Sequence, residues 1–74
     1  MKVYEKVRNY IESNHLKQIS VARAANIPNP IFNAMLHGKR TMYAEDLKAI
    51  CEAINVSADI FMNDNKEVER FEKS

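Results

Sequence analysis

A chain of 74 residues is enough for one domain and leaves little interior for a deep enzyme pocket, since a domain this size buries only about 60% of the surface its unfolded form exposes. Its hydrophobic content of 46% and single glycine read as a folded, helix-rich chain, and the lone cysteine excludes an internal disulfide, which fits a reducing, cytoplasmic setting. The net charge of +1 hides a division: residues 1–40 hold seven Lys and Arg against Glu5 and Glu12, while 41–74 hold four against eight carboxylates, so a polyanion is drawn to the first half and repelled by the second.

The first helix is expected over 2–13. Val3, Val7, Tyr10 and Ile11 recur at i, i+4, i+7, i+8, with Tyr4 beside them, which is one stripe of a helix. Asn14 closes it, because asparagine tolerates left-handed backbone angles. His15 and an inward-pointing Leu16 make a short connection. A second helix spans about 17–25 and buries Val21, Ala22 and Ala25, alanines that permit close approach of a neighbour. Ile19 and Arg23 face away.

The segment Asn26-Ile27-Pro28-Asn29-Pro30 is the sharpest local signal. Each proline fixes its own φ and pushes the preceding residue out of the helical region. Asn29 is then a natural N-cap with Pro30 at the first helical position, and Ile27 anchors the turn between two helices. The third helix runs about 29–37. Phe32, Met35 and Leu36 form its inner stripe, while Pro30, Asn33, Ala34 and His37 lie on an outer side that is slim, polar and free of acidic groups. Gly38 stops it in the left-handed conformation, and Lys39-Arg40 follow at once. A slim helix with a basic exit suits a nucleic-acid groove; a surface helix of a small bundle is the plainer reading.

Thr41 is the expected cap of a fourth helix, with Glu45 and Asp46 at the positive end of its dipole. Tyr43, Leu47, Ile50, Cys51 and Ile54 make its buried stripe, so Cys51 reads as a core thiol rather than a reactive or metal-binding one. Asn55 ends this helix, and Ser57 caps a short fifth over 58–62. After the breakers Asn63-Asp64-Asn65, residues 66–74 form a polar tail in which Val68 and Phe71 line one face of either a docking helix or a frayed end. No strand pattern, repeat, membrane-spanning run or signal peptide is visible.

Gln18 opening the second helix, the run Leu36-His37-Gly38-Lys39-Arg40 leaving the third, and Ala53-Ile54-Asn55-Val56-Ser57-Ala58-Asp59-Ile60-Phe61 together resemble the Xre family, the DNA-binding domains of lambdoid phage repressors and Cro proteins, whose sequences end similarly in ALGVSxDxLF. The resemblance covers about Val3 to Met62. It implies an all-α, compact five-helix lambda-repressor-like domain with a helix-turn-helix over 1–62. It further implies insertion of the third helix into the major groove. Carried over by position, Asn29, Pro30, Ile31, Asn33 and Ala34 would read bases, with Asn33 able to pair adenine through both amide atoms. Lys17, Gln18, His37, Lys39, Arg40 and Thr41 would hold phosphates, and Gln18 would also brace Asn29. The chain departs from the family at Lys17, where Ser or Thr usually caps, and at Asn26, where glycine is usual. By the family's pattern the third helix is capped at Pro28, whereas the proline chemistry points to Asn29; if Asn29 caps, its amide is not free to read.

The functional expectation is a sequence-specific DNA-binding transcriptional regulator, a repressor acting on a palindromic operator as a homodimer through Ile60, Phe61, Met62 and Phe71. The alternative is a protein-interaction module, antirepressor or antitoxin-like scaffold, that keeps the helix-turn-helix frame. An enzyme is disfavoured: two histidines and one cysteine lack metal-ligand spacing, and one glycine cannot build a phosphate loop. No cofactor, small-molecule substrate or membrane partner is expected.

Overall fold

The computed structural model describes residues 2–62, which form five helices: α1 (Val3–Ser13), α2 (Gln18–Ala25), α3 (Asn29–Leu36), α4 (Ala44–Ala53) and α5 (Asp59–Met62). The fold is all-helical, with no strand among the described residues. The expected tail over 63–74 lies outside them.

The first four helices leave through the same hydrogen-bonded exit. The amides of Leu16, Ile27, Lys39 and Val56 reach back to the carbonyls of Ile11, Ala22, Ala34 and Cys51, each at 2.9 Å. The residue before each takes positive φ: His15 at 57°, Asn26 at 63°, Gly38 at 75° and Asn55 at 60°. This arrangement satisfies carbonyls a helix end would otherwise orphan, and an apolar residue usually closes it. Leu16, Ile27 and Val56 obey that rule. Lys39 does not, and it stands at the end of the helix expected to do the work.

Several local expectations are corrected. Asn14 stays at φ −98°, because its side-chain amide donates to the Tyr10 carbonyl at 2.8 Å, and the left-handed turn passes to His15. Leu16, expected to point inward, is 38% exposed; it lines an open groove with Tyr10, Val21 and Ile54. The N-cap of α3 is Pro28, extended at φ −56° and ψ 137°, whose carbonyl accepts the first helical bond from Phe32 at 2.9 Å. Asn29 and Pro30 therefore occupy the first two helical positions, and Asn29 is released from capping. Thr41 does not cap α4. Tyr43 is the N-cap, with its backbone N–H donating to Asp46 Oδ2 at 3.0 Å. An extended Tyr43 (φ −80°, ψ 166°) leaves the helical phase, so its ring is 63% exposed rather than buried, and Met42 packs on the core instead.

The core joins all five helices. Val7 and Ile11, Val21, Ala22 and Ala25, Phe32 and Leu36, Leu47, Ile50 and Cys51, and Phe61 form one buried cluster. Packing of α2 against both α3 and α4 and of α1 against α3 fixes the angle of the helix-turn-helix. Burial pushes the Cys51 thiol above its ordinary value of 9.0, which keeps it neutral and apolar. Phe61 meets Tyr10 edge to face at 5.7 Å, and this contact seats α5 on α1. Phe61 is only 2% exposed, so it belongs to the monomer's core and is withdrawn from the expected dimer surface. Ser57 Oγ accepts the Asp59 N–H at 3.2 Å, the cap expected for α5.

Candidate nucleic-acid interface

Burying Phe32, Met35 and Leu36 on one side of α3 leaves the opposite side outward. Pro30, Asn33 and His37 are exposed, while Asn29, Ile31 and Ala34 are half-buried. Gln18, at the first position of α2, ties this surface to the preceding helix. Its Nε2 donates to Asn29 Oδ1 at 3.1 Å, and its Oε1 accepts a longer bond of 3.4 Å from Asn33 Nδ2. One glutamine thus orients both asparagines. Asn33 keeps its Oδ1 and a second amide N–H for another partner, and Asn29 keeps its NH₂ group. A pair of groups on Asn33, one donor and one acceptor, is what the N6/N7 edge of adenine requires.

The basic exit is held from α1. Arg8 Nη1 donates to the Leu36 carbonyl at 2.9 Å, filling a C-terminal acceptor of α3. His37 Nδ1 lies 2.8 Å from the Asn33 carbonyl; a carbonyl only accepts, so Nδ1 donates there, and Nε2 donates to a second acceptor only in the doubly protonated ring. The charge count therefore overstates what is available, because Arg8 is committed inside the fold and Lys6 also has a partner. Lys17, Lys39 and Arg40 are exposed, and their side chains make no hydrogen bond or ion pair among the described residues. Lys17 stands at the N-cap of α2 without a side-chain capping bond. Thr41 is exposed beside Arg40.

Carboxylates border this surface beside Ile31. Glu45 and Asp46 share a depression with Ile31, Met35, Arg40 and Tyr43, and Asp46 is occupied by the Tyr43 amide. Ile31 thus stands at the acidic margin, while Asn29 and Asn33 are tied to neutral Gln18. Among the described residues no group of three or more His, Cys, Asp and Glu gathers where it would hold a metal. The arrangement offers hydrogen bonds, cations and small apolar contacts.

A family model for the Cro/C1-type HTH DNA-binding domain matches residues 6–64. The chain belongs to that family. Its helix-turn-helix is α2 and α3, joined through Asn26 and the two prolines, and the surface just described lies on the second of these helices. No curated protein and no solved structure matches the chain significantly. No helix among the described residues is long and apolar enough to cross a membrane. A Cro/C1-type domain is a DNA-binding type, which agrees with the expectation drawn from Gln18, the Gly38-Lys39-Arg40 exit and the Ile54-Asn55-Val56-Ser57 ending. Two features escaped sequence reasoning: Arg8 as the cap of α3, and the proximity of Lys2 and Tyr4 to Gly38. Neither has a local signal, since both depend on how α1 crosses the end of α3.

Proposed function

We propose that the protein is a sequence-specific transcriptional regulator, a repressor, that inserts α3 into the major groove of a palindromic operator as a homodimer. Asn33 reads adenine through both amide atoms, with Gln18 holding its side chain in register. Asn29 offers donor hydrogens to an acceptor edge. Pro30, Ala34 and, at the margin, Ile31 supply apolar contact to thymine methyls. Lys17, Gln18, His37, Lys39, Arg40 and Thr41 grip phosphates on either side and set the register without reading sequence. The observation that carries this reading is the exposed Asn33, tied to a neutral glutamine and flanked by cations without partners among the described residues.

Selection of bound duplexes from a random pool, followed by titration of the recovered site, tests it. Asn33→Ala is expected to cost about 1–3 kcal/mol on that site and to relax preference at one base pair. Arg40→Gln is expected to weaken all duplexes alike and lower the salt slope by about one ion. Binding indifferent to sequence and to both substitutions would remove the proposal. The second reading, a protein-interaction module, draws on the exposure of Ile60 (48%) and Met62 (42%); affinity for DNA that barely responds to salt would favour it.

A further inference from the structure

We infer that Lys2 and Tyr4, at the start of α1, extend the grip of Lys39 and Arg40 and hold a backbone phosphate of the duplex in the groove they share with those two residues. This rests on the DNA-binding reading above. The two ends of the molecule's first forty residues meet here: a Cβ placed on Gly38 would fall 2.5 Å from the Tyr4 hydroxyl oxygen. The phenol therefore lies against the residue through which the chain leaves α3. Lys2, Tyr4, Lys39, Arg40 and Thr41 line a single groove around that point, and no carboxylate lines it.

Three cations and two hydroxyls converging on one groove form a site for an anion. Tyr4 is half-buried, and its hydroxyl makes no hydrogen bond among the described residues. A phenol partly withdrawn from water and without an acceptor gains from the arrival of one. The neighbouring carboxylate on α1, Glu5, does not line the groove; its Oε1 accepts the backbone N–H of Lys2 at 2.8 Å at the start of the helix. The anion is a backbone phosphate because the groove is continuous with Lys39 and Arg40, which follow directly on α3. A duplex docked on α3 runs its backbone along those two residues. Lys2 then acts through counterion release and Tyr4 through a directed O–H donor, and neither reads a base.

The test uses the full chain and a duplex recovered by selection. Affinity is measured against salt for the wild type, Lys2→Gln and Tyr4→Phe, and then on duplexes carrying one methylphosphonate at each phosphate in turn. Lys2→Gln is expected to reduce the salt slope by about one ion. Tyr4→Phe is expected to weaken binding about fivefold with the slope unchanged. One neutralised phosphate should cost the wild type affinity and cost a Lys2→Gln, Tyr4→Phe double variant markedly less. Variants that bind and scan like the wild type, on a duplex that Asn33→Ala still weakens, would overturn the inference and leave DNA recognition standing. A wild type that binds no duplex would remove both. If Tyr4→Phe lowers the unfolding midpoint and no phosphate is lost from the scan, the phenol is structural and the inference is wrong.

Discussion

Gly38 carries two constraints at one position. Its φ of 75° lies in the left-handed region, and a Cβ there would meet Tyr4 at 2.5 Å. Alanine relieves neither, so Gly38→Ala is expected to cost about 1–3 kcal/mol in urea unfolding. Enlarging space by pairing it with a smaller residue at position 4 should recover only part of that loss, because the backbone strain stays. The same substitution at Gly38 tilts the basic exit, so operator affinity should fall even where the domain remains folded. Asn33 shows the opposite case, a residue whose backbone is ordinary and whose proposed role lies in its Oδ1 and the amide N–H that Gln18 leaves open. Periodicity placed Asn33 on the outer side of α3, and it is exposed there. Periodicity could not show that Gln18 bonds to both Asn29 and Asn33, since that depends on the angle between α2 and α3.

Among the elements, α2 carries an open flaw. Lys17 sits at its N-cap without a side-chain hydrogen bond, where serine or threonine would satisfy an amide of the first turn. Lys17→Ser is therefore expected to stabilise the domain by about 1 kcal/mol. It should also reduce the salt slope of DNA binding by about one ion, because a cation at the edge of the phosphate strip is gone. Stability and affinity moving in opposite directions, by thermal unfolding and by titration, would show why a poor cap is kept. No change in affinity would take Lys17 out of the grip. The start of α3 is instructive in another way. Proline chemistry disfavours a helical Asn29, yet Asn29 is helical, because the bond from Gln18 and burial of Phe32 outweigh a local preference. Similarly, α4 begins at Ala44 with Tyr43 as its cap, since a carboxylate reaching back from Asp46 is worth more there than a threonine two residues earlier.

At the level of the molecule, the dimer surface and the core must be told apart. Phe61 is sealed against Tyr10, so Phe61→Ala is expected to cost about 3–5 kcal/mol, enough to unfold a domain whose margin is only a few kcal/mol. Ile60 and Met62 are exposed, and a double change to serine should leave the unfolding midpoint nearly unmoved. If the proposed homodimer uses them, sedimentation of that variant should give a lighter species, and a gel shift on a palindrome should lose its cooperativity. Unchanged sedimentation would place the interface elsewhere. Phe71, the other residue expected there, lies outside the described residues.

The amino-acid sequence by itself determined the class of fold, the inner stripes of α1 to α3 and much of that of α4, the stop at Gly38 and the outward side of α3, because each follows from helical periodicity and from the backbone freedom of single residues. Tertiary structure alone decided which cations are free, since Arg8 is spent on the Leu36 carbonyl. It also decided that Phe61 packs inward, that one glutamine orients two asparagines, and that Lys2 and Tyr4 reach the exit of α3. These depend on distances between segments far apart in the chain, which are set by how five small helices share one core and by nothing local to any of them.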